Sequence, residues 1–445
     1  MAAEITEAEF AGWMRPLGPC GRHPRIAAGV SGGPHSLALA LLAQGWAAMR
    51  GGSVLALIVD HGLREGSAGE AARVRQRLEA AGIAARVIPI AVARGAGLQD
   101  RARAARMEAL LAACLAEARP WLLLGHHAGD QAETLLTRAL AGSGAAGLAA
   151  IAPTRATAEA LILRPLLGVA PERLEASIAA AGLAPERDPS NADARFLRVR
   201  LRAAARTEAE PALVEAAARF ARRRACREMA LATRLAAAAM VSPSGFARID
   251  PAALGTDTLA AEALGVLVRL VGGAAFAPPT TAAAALLAQG HGTLGGAWLR
   301  PARSGGWLLL REPAAVAAPV PARRGATWDG RFRLLGEGSA GHRLGALGQD
   351  SPPARAADGG DAWAPLRLLP ASLRATLPAI RDAQGRLAAV PGLDYPSTLA
   401  CRPFALAFAP QGGAPLAWAM PAASGPANSR CATGGPFTPG QSNPM

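Results

Sequence analysis

Three short polar clusters hold the side chains able to do chemistry. The first is Val30-Ser31-Gly32-Gly33-Pro34-His35-Ser36. Its two glycines allow a tight turn whose N–H groups point outward, and Ser31 and Ser36 add hydroxyl donors. Such a loop holds phosphate without a lysine when a helix opens behind it, although an ordinary strand-to-helix turn has the same look. The second cluster is Asp60-His61-Gly62-Leu63-Arg64 and the third runs from Gly125 through His126, His127 and Asp130 to Glu133.

Each cluster follows an apolar run. Arg25–Val30, Val54–Val59, Arg86–Ile90 and Trp121–Leu124 read as strands. Ser36–Arg50, Ser67–Ala81, Leu98–Ala118 and Asp130–Leu140 read as the helices between them. Ser67 and Glu70 have capping-box spacing. Strands alternating with helices of this length predict α/β, a doubly wound parallel sheet. Ligands bind such sheets at the carboxyl ends of the strands, so the clusters after strands one, two and four are predicted to face one crevice. Beyond residue 150 the alternation fades: Pro171–Ala181, Glu208–Met240 and Leu259–Val271 read as helices, and short apolar pieces such as Trp307–Leu310 and Phe332–Leu335 suggest a small α+β module. The domains expected are 1–206 (catalytic), 207–300 (helical) and 301–410 (small α+β), followed by a disordered Gly/Pro/Ser-rich tail over 411–445.

Composition removes several function classes. All 47 basic residues of the 445-residue chain are arginine. Without lysine there is no Walker A loop, no pyridoxal Schiff base and no covalently adenylated lysine. Five scattered cysteines and no CxxC pair argue against a disulfide framework, a zinc ribbon or a clustered iron–sulfur centre. The net charge of +14 attracts polyanions, and the arginine excess also fits GC-rich coding. The acidic start and the lack of an apolar run of about 18 residues predict a cytoplasmic protein with no membrane span.

The Ser31–Ser36 loop resembles the SGGxDS loop of the N-type ATP pyrophosphatases, the PP-loop enzymes. Together with IVDHGLR, Gln99–Leu110, LLLGHHAGDQAET, RALAGSGAAGL, LRPLLGV and Asp188–Arg202, it makes the chain similar to the tRNA(Ile)-lysidine synthases, densely over residues 25–202 and more weakly after. The resemblance implies that ATP adenylates the C2 oxygen of a wobble cytidine in a tRNA(Ile) with a CAU anticodon. Free lysine then displaces AMP. By position it implies Asp60, Arg103, Arg106 and Asp130 as catalytic residues, with Asp130 on Mg²⁺. Ser31, Gly32, Gly33, Pro34, His35, Ser36, His61 and His126 would bind the nucleotide, and Arg195, Arg198, Arg200 and Arg202 the RNA. The segment 221–225, Ala-Arg-Arg-Arg-Ala, is a second RNA candidate that equally suits a solvated helix face. A homodimer is carried as an expectation of assembly.

The chain departs from the family pattern at two carboxylates: His35 and Gly129 stand where the family has Asp. Met107 replaces a usual Tyr. An imidazole at 35 can donate directly to phosphate; alternatively the site binds without catalysing. A thiolase would need a cysteine near the site, and only Cys114 lies in the sheet region. A glutamine-dependent synthetase would need a glutaminase domain, and none is evident.

Overall fold

A computed structural model describes residues 2–62, 66–92, 95, 97–186, 210–348, 370–391, 395 and 401–410. The N-terminal elements are α1 (Glu7–Met14), β1 (Arg25–Val30), α2 (Pro34–Ala48), β2 (Ser53–Asp60), α3 (Ser67–Ala80), β3 (Ala84–Pro89), α4 (Leu98–Ala116), β4 (Trp121–Leu124), α5 (Ala128–Leu140), α6 (Ala145–Leu148), β5 (Thr154–Ala156), β6 (Leu161–Leu163) and α7 (Pro171–Ala180). The sheet order is β3-β2-β1-β4-β6-β5. Every neighbouring pair is parallel except the β5–β6 hairpin.

Side-chain alternation along the strands divides the core into two layers. Ile26, Ala28 and Val30 on β1, with Val54, Ala56 and Ile58 on β2, pack under α1, α2, α3 and α7. Ala27, Leu57, Leu122 and Leu124 face the other way, onto Leu110, Ala113 and Cys114 of α4. Both faces are covered, which is why these strands read as unbroken apolar runs. Two sequence details differ. The Ser67 capping box does not form: Gly66 is the N-cap of α3, in a left-handed conformation, and Ser67 lies inside the first turn. The β5–β6 hairpin has three-residue strands, too short for a periodicity signal.

Chain order sends β2 and β3 to one side of β1 and β4 to the other. The crevice between the ends of β1 and β4 is therefore the point where the winding reverses, the place such sheets bind ligands.

Beyond the sheet, α8 (Glu210–Ala238) leads into β7 (Ala239–Val241), β8 (Ala247–Ile249), α9 (Pro251–Leu254), α10 (Thr258–Gly272), α11 (Thr280–Gln289), β9 (Gly292–Leu294), β10 (Ala297–Pro301) and β11 (Trp307–Arg311). Their sheet, β7-β8-β11-β10-β9, packs on α10 and the end of α8. The last module holds β12 (Val320–Arg323), β13 (Thr327–Trp328), β14 (Phe332–Leu334), β15 (Gly338–Ala346), α12 (Ala371–Arg374), β16 (Pro378–Arg381), β17 (Leu387–Ala389) and β18 (Leu406–Phe408) in two small sheets. The expected α+β module is mostly strand, because α12 is its only α-helix among the described residues and has four residues.

Candidate active site

The loop after β1 is built by two residues. Gly32 has φ +85°, and a Cβ there would lie 2.7 Å from Val74 Cγ2, so the turn against α3 requires glycine. Ser36 closes the loop from inside. Its hydroxyl donates to the Gly33 carbonyl at 3.0 Å, accepts from the Ser31 amide at 3.1 Å and lies 3.2 Å from the Ser31 hydroxyl. Ser36 is thus buried scaffolding, whereas Ser31 is exposed. Gly33, expected as a second conformational glycine, is an extended N-cap at φ −71°, with Pro34 at the first helical position. Pro34 has no N–H to leave unpaired, and its fixed φ suits that position.

Gly125, at the end of β4, brings the third cluster against this loop. A Cβ there would meet the His35 carbonyl oxygen at 3.1 Å and Ser36 Cα at 3.2 Å. The next two rings have different surroundings. His127 is buried and caps α5: its Nδ1 accepts from the Gly129 amide at 3.1 Å, while Asp130 Oδ2 accepts from the His127 amide at 3.0 Å. His35 packs edge-on against the His127 ring, centroids 4.1 Å apart, with its Nε2 3.9 Å from Glu175 Oε1. Gly129 belongs to the same arrangement, since a Cβ at 129 would crowd the His127 ring at 3.1 Å. The α5 N-terminus is therefore satisfied by protein, and the α2 N-terminus is the one that opens beside the phosphate-type loop.

The other ring, His126, lies among arginines. Burial pushes it down to about 4; Arg164, Arg103 and Arg106 act in the same direction, and Asp130 opposes them. Burial and Arg106 likewise lower His61, against the pull of Asp60. Arg106 is itself lowered by burial and by Arg103. Burial, Arg155 and Arg103 bring Arg164 down to about 10. The charges of Arg103, Arg106 and Arg164 thus all act on His126 after β4, and that of Arg106 also acts on His61 after β2. Packing like charges into a partly dry crevice is costly unless an anion balances them.

Arg164 was missed as a site residue. It follows β6 directly, but that strand's three residues gave no pattern to anchor it. Its guanidinium is oriented by a 2.8 Å hydrogen bond to the Ala152 carbonyl. Asp60 lies at the β2 end, where its Oδ1 accepts from the Gly62 amide at 3.0 Å. Among the described residues no group of three or more His, Cys, Asp or Glu side chains could hold a metal ion. The predicted RNA-binding residues Arg195, Arg198, Arg200 and Arg202 fall outside the described residues.

Comparison with known proteins agrees with this geometry. The PP-loop domain family matches residues 4–209. The tRNA(Ile)-lysidine synthase of Novosphingobium aromaticivorans is 44% identical over 189 residues, which are 42% of this chain and 56% of that relative's length. The tRNA(Ile)-lysidine synthase of Ruegeria pomeroyi is 36% identical over 353 residues, 73% of this chain and 80% of the relative. That of Mesorhizobium japonicum is 34% identical over 405 residues, 87% of this chain and 88% of the relative. The likeness thus runs through all three modules and not the PP-loop region alone, and the chain belongs to the tRNA(Ile)-lysidine synthase family.

Proposed function

We propose that the protein uses ATP to join free lysine to C2 of the wobble cytidine in a tRNA(Ile) carrying a CAU anticodon. The observation that carries this reading is the likeness to tRNA(Ile)-lysidine synthases over most of the chain, joined to a Ser31–Ser36 loop packed against the end of β4, where the charges of Arg103, Arg106 and Arg164 act on His126. In the first step the C2 oxygen of the base attacks the α-phosphorus and the bond to the β-phosphate oxygen breaks. The departing pyrophosphate gathers negative charge, which the positive field of Arg103, Arg106 and Arg164 would stabilise. In the second step the lysine ε-amine attacks C2, loses a proton, and AMP leaves with the original C2 oxygen.

ATP would arrive with Mg²⁺, which needs only one or two protein carboxylates when phosphates supply the rest of its shell. Asp130, in the first turn of α5, is the carboxylate that would contribute to that shell. Its hold on the His127 amide fixes its orientation. At position 129 itself the His127 ring would crowd a side chain, a Cβ there meeting it at 3.1 Å. Asp60 offsets the positive field of Arg106 at His61. Among the described residues no helix is long and apolar enough to cross a membrane, consistent with work on tRNA in the cytoplasm.

The test is incubation of the full chain with ATP, Mg²⁺, radiolabelled lysine and a CAU-anticodon tRNA(Ile) transcript. Pyrophosphate release and lysine incorporation should appear together and depend on all components. Arg106→Ala and Arg164→Ala should each weaken ATP binding about 10- to 100-fold, the worth of one charge-assisted hydrogen bond. Tightly bound tRNA with neither product would leave a non-catalytic RNA-binding role as the surviving reading.

A further inference from the structure

The helix α8 has a stretch that packing does not explain. Its start adjoins the crevice: a Cβ on Gly129 would lie 3.9 Å from Glu210 Oε1. Its first turns pack Leu213, Ala216 and Ala217 on Leu135 of α5 and on Ala150. Its last turns put Leu231, Leu235 and Ala238 into the core of the middle module. Between Ala217 and Leu231 no residue is fully buried: Ala218, Phe220, Ala221, Arg224 and Ala225 are half-buried and the others are exposed, so one side of this part of the helix faces solvent. A helix stretch with little burial is held in part by propensity and side-chain pairs. Here those pairs are Glu215–Arg219, Arg224–Glu228 and a tie from Arg227 to Glu262 on α10.

Two cations are left over. Arg222 and Arg223 are exposed and take part in no hydrogen bond or ion pair among the described residues; Arg222 touches Glu215 only through a weak charge effect. Both point their charge to solvent on the exposed side of the helix. At about 1.5 Å rise per residue they stand about 18 and 20 Å along the helix from Glu210, and hence from the crevice. A stacked nucleic-acid strand places one phosphate every ~3.4 Å or so. That distance is on the order of five or six phosphates.

We infer that Arg222 and Arg223 form a phosphate-backbone contact for the RNA substrate, gripping the stem that adjoins the anticodon loop while the target base sits at the crevice. This rests on the proposed function for the identity of the RNA, but the contact itself is with backbone charge. It sets where the RNA lies and does not read its sequence.

The experiment compares the full chain with Arg222→Gln/Arg223→Gln in filter binding across a salt series. One probe is CAU-anticodon tRNA(Ile), a second is a mixture of other tRNAs, and a third is a single-stranded oligonucleotide limited to the loop sequence. The double variant should bind both tRNA samples about tenfold more weakly. Its log–log salt slope should be smaller by about 2 phosphates' worth. ATP affinity and melting temperature should be unchanged, and the loop oligonucleotide should bind both proteins alike. Arg219→Gln, which removes a cation already paired with Glu215, should have a smaller effect. Unchanged tRNA affinity and slope in the double variant overturn the inference, as does equal weakening with the loop oligonucleotide. Failure of lysine incorporation alongside a pair-dependent slope would instead sink the proposed function and leave the contact standing.

Discussion

Single residues at the crevice are defined by what surrounds them. His126 is the clearest case. An ordinary imidazole takes up a proton near pH 6.5, but burial beside Arg103, Arg106 and Arg164 delays this to about 4 in the folded protein. Between those values the unfolded chain holds a proton that the folded one refuses, so stability falls as pH drops through that window, by at most about 1.4 kcal/mol per unit. Urea melts from pH 7.5 to 4.5 should show this decline, and His126→Asn should flatten it without abolishing the part due to His61, which is lowered in the same direction. The residue types at the crevice could be read from the sequence, including His35 and Gly129 as departures. Their connection could not. The His35 ring rests on His127, and His127 folds onto the position a side chain at 129 would need. Two separate oddities in the chain are one packed arrangement in space.

At the level of elements, the crevice depends on how closely the end of β4 approaches the start of α2. Gly125 permits that approach, with the His35 carbonyl and Ser36 Cα at 3.1 and 3.2 Å from where its Cβ would be. Both neighbours are backbone and cannot turn aside. Gly125→Ala should cost about 1–3 kcal/mol, as overpacking does. It should weaken ATP binding more than a remote substitution of equal cost, because the displaced element is the phosphate-type loop itself. Chemical denaturation and calorimetric ATP titration of the same variant separate the two effects. The parallel strands were legible because a strand buried on both faces is a continuous apolar run. The β5–β6 hairpin was not, and so Arg164, which follows it and whose charge acts on His126, went unseen as a candidate site residue.

Across the whole molecule, the middle and C-terminal modules are joined by a buried charge cluster. Asp329 accepts from Arg311 at 3.0 and 2.7 Å, from Arg331 Nε at 2.7 Å and from the Ala317 amide at 2.9 Å. Arg331, fully buried, reaches on to the carbonyls of Gly245 and Thr376. Burial lowers Arg331 to about 10 even with Asp329 beside it. Asp329→Asn keeps the shape and suits the left-handed backbone at that position (φ 56°). It leaves two buried guanidiniums without their anion, which should destabilise by about 3–5 kcal/mol. A scanning-calorimetry trace should show the transition of these modules falling. The PP-loop module touches them through α8 and through Arg333, whose guanidinium donates to Glu159 at 2.7 Å.

The sequence by itself determined the local and periodic features: a parallel α/β sheet, the strand ends where polar residues cluster, and the loss of every lysine-based chemistry. Those depend on alternation, turn residues and composition, all of which act between near neighbours in the chain. Only the tertiary structure decided which cations act on His126, that Asp130 and His127 cap each other, and that Arg222 and Arg223 lie on the solvent side of α8. Each of these depends on groups brought together by burial from distant parts of the chain, and the cost of desolvating them is set by the packed surroundings.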